Sequence, residues 1–451
     1  MIRSFSLVLV LLSAGLAARA EDPPLRGVAA CNKALKLAGE GKPAEALKVL
    51  EAAKGTMDAE DEWLWWGNKG SAHRDLRQDA EALPAYQKAV ELKPDCWFQV
   101  EYATLLHEFG RFDEALKVLD KPVQKGYAES AARLRAVVTG PYRKRWPHAY
   151  KKLEYSAKAG HYQVVSDVGV DAAEMDRIEA AAAKLNPAEK VNISKLEALF
   201  KPNPQIVNIA NLLELTRVEY MRLSGMKEAQ WPKGKVSRVF YFQAQQEFLD
   251  FASAAGGEKE RESTVGFFDP NFKDILLYNT PGGGEAFGIA KETLDTFWHE
   301  GWHQFFDVLT SQTPTWIDEG IAEYVGKGVI SKDGTKLALG QLVKEEGEFV
   351  TRYEKVKGLV ADRKHVPFRE FFKYDNKKWN AGDTLAHYAQ AWSIVYYAMR
   401  GDNAAFQKDF RNFFLELVKG TPWLDAVASI FPDAKLDAYE SQWRVFIDKL
   451  K

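Results

Sequence analysis

The H-E-x-x-H segment at residues 299–303 is the feature that most restricts what this chain can fold into. In an α-helix, residues i and i+4 lie above one another on one face, so His299 and His303 can direct both imidazoles at one ion. Glu300 lies beside them, where it can take a proton from a metal-activated water. A catalytic zinc takes three protein ligands plus a water. The segment therefore predicts a helix that binds one zinc ion per chain.

The alternative is a helix that carries two histidines by coincidence. With eight histidines in 451 residues, the motif should arise by chance in roughly one such chain in a hundred. The neighbouring residues are apolar nearly all round, which predicts a buried helix. Burying two imidazoles and a carboxylate without partners would cost several kcal/mol, and a metal ion removes that cost. These neighbours are Phe297, Trp298, Trp302, Phe305, Phe306, Val308 and Leu309.

A second segment, T-W-I-D-E-G-I-A-E-Y at 315–324, is predicted to be a short helix. Glu319 and Glu323 are again i and i+4, so both project to one side. One can bind the metal while the other accepts a hydrogen bond from a ligand histidine; we expect Glu319 as the ligand. Two solvated glutamates are the alternative. The helix signals are Thr313 as N-cap, Pro314 at the first helical position, and Gly326 and Gly328 at the end.

Residues 1–20 have the pattern of a signal peptide, with Arg3, an apolar run and Ala18-Arg19-Ala20 as a cleavage signature. We therefore expect an exported, periplasmic or secreted bacterial protein. The apolar run is short for a bilayer, and no later stretch reaches 18 apolar residues, so no membrane span is expected in the mature protein. The formal charge of −2 becomes more negative without the two arginines, which argues against nucleic-acid binding.

Residues 27–129 carry an internal repeat of about 34 residues, with the offsets of tetratricopeptide repeats. In such repeats small residues let paired helices approach, and three copies form a concave surface for a protein partner. A mere docking or spacing role is the alternative. Cys31 and Cys96 lie too far apart along the array to be bridged, so free buried thiols are expected. The middle copy is marked by Trp66, Gly70, Ala82, Tyr86, Ala89 and Pro94.

After the repeats the pattern changes from helical to mixed, and from Ser331 onward it is mostly helical. The predicted strands are 162–166, 237–242, 264–268 and 275–279, and the predicted helices 172–185, 205–223 and 245–254, with an inserted loop over 186–204.

The last two strands are joined by Asp269-Pro270-Asn271, which is typical of a hairpin. The second, Ile275–Asn279, leads toward the metal helix. We therefore expect Ile275–Asn279 to pair with an extended peptide by strand addition and to present its scissile bond to the metal.

A zinc peptidase also needs a hydrogen-bond donor for the oxyanion that forms when the carbonyl becomes tetrahedral. Tyr388 and His387 in A-H-Y-A-Q-A-W are the candidates. The alternative for Tyr388 is an aromatic ring that packs beside Trp392.

These residues resemble the gluzincin branch of zinc peptidases, and most closely the bacterial peptidase MA-like family, distant relatives of aminopeptidase N and thermolysin. The resemblance runs from about His161 to Lys451. It rests on the Y-Q-V-V-S-D and V-F-Y-F strands, Glu247-Phe248, G-F-F-D-P at 266–270, H-E-G-W-H, W-I-D-E-G-I-A-E-Y and Y-A-Q-A-W.

The resemblance implies a role for each matching residue. The glutamate of the aminopeptidase W-L-x-E-G motif binds zinc, which implies Glu319 as the ligand. The acidic group one turn later orients a ligand histidine in thermolysin-like enzymes, which implies this role for Glu323. The tyrosine that opens the Y-x-x-G/A-x helix stabilises the oxyanion, which implies Tyr388.

The chain also departs from these relatives. The connection from His303 to Glu319 is shorter than in aminopeptidase N, and by spacing alone Glu323 fits the thermolysin pattern better, although W-I-D-E-G favours Glu319. A G-x-M-E-N-like segment, whose glutamate holds a substrate amino terminus, is missing from the sequence before the metal helix. An endopeptidase is therefore favoured over an aminopeptidase.

Together these observations predict an α+β protein with a signal peptide (1–20), an all-α tetratricopeptide array (21–135), a basic linker (136–160), an α/β part of a zincin-like domain (161–290) and a helical zinc-binding part (291–451). The predicted function is an exported zinc endopeptidase acting on a peptide or protein. One alternative is a tetratricopeptide scaffold with an inactive or highly specialised peptidase-like domain. Another is a metal-dependent hydrolase of a non-peptide substrate.

Overall fold

The computed structural model describes most of the chain outside the N-terminal segment. The expected signal peptide, most of the 136–160 linker, and nearly all of the helix over 172–185 and the loop over 186–204 lie outside the described residues. The described residues are 25–139, 153–154, 161–166, 180, 184, 204–228, 231–232, 235–254, 264–281, 289–331, 334–344 and 350–451.

Three helix pairs come first, each joined by a three-residue turn. The central residue of every turn is left-handed: Gly41 (φ 75°), Arg77 (φ 57°) and Gly110 (φ 68°). Only the middle turn places a residue with a side chain at this position. The pairs are α1 (Gly27–Gly39) with α2 (Pro43–Ala52), α3 (Glu62–Asp75) with α4 (Asp79–Leu92), and α5 (Phe98–Glu108) with α6 (Phe112–Leu119).

The pairs pack closely because small residues face large ones. A Cβ on Gly70 would lie 2.7 Å from the Tyr86 ring, so only glycine permits this contact between α3 and α4. Cys31 and Cys96 are buried, free and in different hydrophobic clusters. The expectation of free thiols is confirmed.

The expected linker is wrong where its residues are described. Helix α7 (Ala128–Thr139) extends past residue 135 and buries Leu134, Val137 and Val138. A short strand, β1 (Leu153–Glu154), then lies at the edge of the sheet. Apolar residues at helical spacing continue the packing of the array as far as residue 139.

The described strands form a mixed five-stranded sheet in the order β1-β2-β3-β5-β4. Strands β2, β3 and β5 are parallel, whereas β1 and β4 are antiparallel to their neighbours. The predicted strands and the hairpin are confirmed; β2 and β3 have the predicted bounds, and those of β4 and β5 are shifted by one or two residues. The strands are β2 (Tyr162–Ser166), β3 (Ser237–Phe242), β4 (Gly266–Asp269) and β5 (Asp274–Tyr278).

The two faces of the sheet are covered by different parts of the chain. Alternate residues point to opposite faces, and Val239 and Ile275 join the cluster of the C-terminal region, whereas Phe240 and Leu276 join the cluster of the helix pairs. The N-terminal helices are therefore part of the core of the sheet rather than a separate body.

Helix α9 (Gln245–Ala254) packs on the same face of the sheet as the helix pairs, through Phe248 and Phe251. The other helices cover the opposite face and form the C-terminal region. Helix α11 begins at Thr315 with Pro314 in extended conformation before it, one residue later than expected. A short hairpin, β6 (Gly328–Ile330) with β7 (Leu337–Leu339), follows. The helices are α8 (Pro204–Ser224), α9 (Gln245–Ala254), α10 (Lys291–Leu309), α11 (Thr315–Val325), α12 (Arg352–Ala361), α13 (Phe368–Phe371), α14 (Asn376–Trp379), α15 (Thr384–Arg400), α16 (Ala404–Val418), α17 (Trp423–Ile430) and α18 (Asp433–Lys449).

The described chain is thus mostly helical with a small mixed sheet, which confirms the α+β class at this level. Among the described residues, none of the helices has both the length and the apolar character that a membrane crossing requires.

Candidate metal centre

Helix α10 holds His299, Glu300 and His303 on its half-buried face, while the residues between them are buried. The apolar neighbours predicted to be buried are all buried. The opposite face packs against α8, where the Tyr220 hydroxyl donates to the Trp298 carbonyl. A Cβ on Gly301 would lie 3.0 Å from that hydroxyl. The glycine inside H-E-G-W-H therefore allows the approach that holds this helix in place.

Helix α11 brings Glu319 to the two histidines. The Glu319 Oε2 atom lies 3.6 Å from His299 Nε2 and 3.7 Å from His303 Nε2. Gly320 explains the position of the helix, since a Cβ there would lie 2.8 Å from the Ala391 carbonyl oxygen of α15. The glycine of W-I-D-E-G thus permits close packing of α11 on α15.

The three side chains fit a metal ion of the zinc type. One ligand atom from each of His299, His303 and Glu319 lies within 4.8 Å of the other two. At metal–ligand distances of about 2.0–2.2 Å, tetrahedral geometry separates ligand atoms by roughly 3.3–3.6 Å. The measured separations are close to this range and too long for direct hydrogen bonds. Two imidazoles and one carboxylate also form a donor set that catalytic zinc sites use.

A carboxylate holds the far side of the His303 imidazole, whereas the one nearest the far side of His299 is more distant. The Asp318 Oδ1 atom lies 2.9 Å from His303 Nδ1, which directs Nε2 of that ring toward Glu319. The Glu323 Oε1 atom is 4.0 Å from His299 Nδ1, longer than a hydrogen bond. Glu323 instead accepts two hydrogen bonds from Arg352, at 2.8 and 2.9 Å. The orienting role predicted for Glu323 is therefore filled by Asp318.

The electrostatics of the cluster favour a bound cation. Burial lowers the pKa of His303, but Asp318 and Glu319 outweigh burial and raise it to about 10. The pKa of His299 is also raised. Burial lowers it, but the neighbouring carboxylates Glu319, Glu300 and Glu323 outweigh burial. Around the two imidazole rings, carboxylate groups thus outnumber the guanidinium group of Arg352. A divalent cation would balance their negative charge.

Tyr388 lies against the Glu319 carboxylate and under the guanidinium of Arg352, which is 5.3 Å from the ring centre. Burial, and then the charges of Glu319 and Glu323, raise the pKa of Tyr388. Its hydroxyl therefore stays protonated near neutral pH and can donate. His387, the other candidate donor, is buried with its Nδ1 atom 2.8 Å from the Trp379 carbonyl oxygen, and it has a packing role.

The strand nearest the metal helix is not the one expected to bind a peptide. Strand β5 has β3 on one side and β4 on the other, so its backbone groups are already paired. Strand addition at 275–279 is therefore wrong. Strand β4 forms one edge of the sheet that the described strands make, and the N–H of Phe268 donates to Glu300 Oε2 at 2.8 Å.

Three groups that contact the predicted site residues were not predicted from the sequence: Asp318, Arg352 and the backbone N–H of Phe268. Asp318 had a signal, because a carboxylate directly before Glu319 can reach a neighbouring ligand. Arg352 had none, since it lies far along the chain on α12. The Phe268 N–H is a backbone group, which the sequence pattern does not distinguish.

The comparisons with known proteins add one family. A family model described as "Protein of unknown function (DUF1570)" matches residues 293–414, a segment that contains all the histidine, glutamate and tyrosine positions predicted for the site. A comparison with curated proteins gave no match.

Proposed function

We propose that this chain is an exported zinc peptidase of the gluzincin type that cleaves within extended peptides. The observation that carries the proposal is the approach of two histidine Nε2 atoms to one Glu319 oxygen at 3.6 and 3.7 Å. Glu300 lies on the same helix face, and Tyr388 lies against the ligand carboxylate. The set contains a ligand group, a base and an oxyanion donor.

Zinc, when bound, supplies Lewis-acid polarisation of the scissile carbonyl and of a water. Glu300 would take a proton from a water at this site as the water oxygen bonds to the carbonyl carbon, and would give that proton to the amine nitrogen as the C–N bond breaks. Tyr388 donates a hydrogen bond to the carbonyl oxygen as negative charge develops there. Asp318 holds the His303 ring in one orientation throughout.

The substrate segment is proposed to lie along β4, the sheet edge, rather than β5. An edge strand offers outward-facing backbone groups to an extended chain. On β4 the Phe268 N–H is already held by Glu300, so pairing with a substrate is proposed for other outward groups of the strand. A cleft that binds an extended segment on both sides of the scissile bond suits internal cleavage. The sequence before α10 lacks a G-x-M-E-N-like segment, which argues against an aminopeptidase.

The three helix pairs are proposed to be tetratricopeptide repeats, and the sheet with α10 and α11 a zincin-like domain. The shared three-residue turns and the Gly70–Tyr86 contact support the first assignment. A protein partner on the exposed surface of the array is compatible with its packing on the sheet. A scaffold with an inactive domain is the competing function, and it predicts zinc binding without hydrolysis.

The test pairs metal analysis with digestion of an unbiased peptide library. Wild-type protein should bind one zinc per chain and cleave within peptides. Glu300→Gln should keep the zinc and lose roughly 10²–10⁴-fold in kcat. Glu292→Gln, an exposed residue in the first turn of the same helix, is the matched control and should retain both properties. Protein without stoichiometric zinc, or equal cleavage by wild type and Glu300→Gln, would contradict the proposal.

A further inference from the structure

Among the described strands, β4 pairs with β5 alone, and the register of this pair fixes which backbone groups of β4 face away from β5. In an antiparallel pair, residues alternate between facing the partner strand and facing away. The Tyr278 N–H donates to the Val265 carbonyl at 3.1 Å, and Gly266 pairs with Leu277 in register. Residue 265 therefore faces β5, as does 267, whereas Gly266 and Phe268 direct their backbone groups away from it.

Two hydrogen bonds agree with this alternation. The Gly266 carbonyl accepts from the Thr264 hydroxyl at 2.9 Å, and the Phe268 N–H donates to Glu300 Oε2 at 2.8 Å. An outward N–H of an edge strand usually meets water. Here a carboxylate of the metal helix takes its place.

Both partners of this bond are held rigidly. The Phe268 ring packs against the cluster that contains α10, and the Phe267 ring packs against the cluster of the helix pairs. On the other side, Tyr220 holds the turn of α10 at Trp298. A backbone donor in a strand fixed on both faces cannot rotate away, unlike a side-chain donor.

We propose that the backbone N–H of Phe268 is a positioning group for Glu300. It holds Oε2 and so turns Oε1 toward the reacting water, which fixes the direction of proton transfer. This inference rests on the proposed peptidase function for its catalytic consequence. The hydrogen bond itself can be tested without zinc or substrate.

The first experiment measures residue-resolved hydrogen exchange in the metal-free protein. The Phe268 amide should be protected in wild type and should exchange at least about tenfold faster in Glu300→Ala, where the acceptor is gone. The Phe267 amide, which faces β5, is the internal control and should keep its protection in both proteins. Equal exchange of the Phe268 amide in wild type and Glu300→Ala would overturn the proposal, whatever the chain hydrolyses.

The second experiment compares Phe268→Pro with Phe268→Ala. Both remove the ring, but only proline removes the N–H, and an outward position on an edge strand tolerates proline because no ladder bond is lost. We expect kcat of Phe268→Pro to lie on the order of 10–100-fold below that of Phe268→Ala, with KM and zinc affinity within about threefold of each other, since neither ligand nor cleft changes.

Equal kcat values in the two variants, or a loss that falls on KM instead, would overturn the positioning role. If Phe268→Pro does not fold, the exchange comparison with Glu300→Ala still decides whether the bond exists. If wild type neither binds zinc nor cleaves peptides, the proposed function fails, while the exchange result stands separately.

Discussion

Helix α10 carries two charged clusters one turn apart, and they differ in how their charges are balanced. At Asp307, Oδ1 accepts from Arg77 at 2.9 Å and from Lys273 at 2.8 Å. At His303, the ring nitrogen Nε2 and the Glu319 oxygen stay 3.7 Å apart. The first cluster is closed by direct ion pairs. In the second cluster, the distance between the histidine nitrogen and the carboxylate oxygen suits an ion bound between them.

The Asp307 cluster also connects the N-terminal helices to the metal helix. Arg77 stands at the left-handed turn position where the other two pairs have glycine, and Lys273 is left-handed as well, with φ 64°. Such conformations cost roughly 1–2 kcal/mol for a residue with a side chain. Two strained residues from separate regions thus direct their cations at one carboxylate. In the Asp307 cluster, two strained residues have their charges paired with one carboxylate, whereas the proposal leaves the charge of the His303 cluster to be balanced by a bound ion.

The largest effect on stability is expected from Asp307→Asn. It leaves Arg77 and Lys273 buried without their anion, and loss of one partner of a buried pair costs about 3–5 kcal/mol. Urea unfolding of the metal-free protein measures this, while zinc affinity should stay within about threefold of wild type. A destabilisation below about 1 kcal/mol would mean that the cluster is not balanced as described.

Glu319→Gln should have the opposite pattern. Replacing the ligand carboxylate by a neutral amide should weaken zinc binding roughly 10³-fold, or about 4 kcal/mol. The metal-free protein should unfold within about 1 kcal/mol of wild type, because the site has excess negative charge. Competition titration against a chelator gives the affinity. Unchanged zinc affinity would remove the distinction between the two clusters.

Acid should reveal the Asp307 cluster through stability. Burial raises the pKa of Asp307, but Arg77 and Lys273 outweigh it and hold the pKa at about 2, below the ordinary 3.8. A lowered carboxylate pKa gives stability above the unfolded value, and this stability is lost as pH falls through the folded value. Wild type should lose about 2 kcal/mol through this group between about pH 4 and pH 2. A parallel pH profile in Asp307→Asn would contradict this assignment.

Asp318→Asn should weaken zinc binding by about 10–100-fold, because it removes the carboxylate that orients the His303 ring. Glu323→Gln is the matched control on the same helix. Since Glu323 is engaged by Arg352 and lies 4.0 Å from His299, its removal should change zinc affinity by no more than about threefold. A larger effect at Glu323 than at Asp318 would restore the role predicted from sequence.

The smallest expected effect is that of Arg77→Gly. It relieves the left-handed turn, worth about 1 kcal/mol, but loses charge-assisted hydrogen bonds worth about 1.5–3 kcal/mol, so a net loss near 1 kcal/mol is expected. Arg363→Gly is the control, because Arg363 is exposed and left-handed with φ 55°. Thermal unfolding should move in opposite directions for the two. A shift in the same direction would argue against strain held by the Asp307 contact.

Element bounds and the spacing of the site residues could be predicted from the sequence. Which helices and strands lie beside one another in the fold could not. Helix α9 and strand β3 have the predicted bounds, and the i, i+4 spacing places His299 and His303 on one face, because these patterns depend on backbone periodicity alone. The sequence does carry a signal for the central place of β5 in the sheet. The continuous apolar run Ile275-Leu276-Leu277 is typical of a strand buried on both faces.

The sequence pattern did not predict which residues from distant parts of the chain contact one another. The choice between Asp318 and Glu323 depends on Arg352, which arrives from α12, and the strained Arg77 turn is explained only by Asp307, 230 residues away along the chain. These contacts are set by how helices and strands meet in space, and hydrophobic periodicity does not encode this information.

The most direct test of the metal centre is diffraction from wild-type crystals, grown with one equivalent of zinc, above and below the zinc absorption edge. We expect one anomalous peak per chain, within about 2.0–2.2 Å of His299 Nε2, His303 Nε2 and a Glu319 oxygen. No peak, or a peak held by other residues, would contradict the assignment on which the proposed chemistry depends.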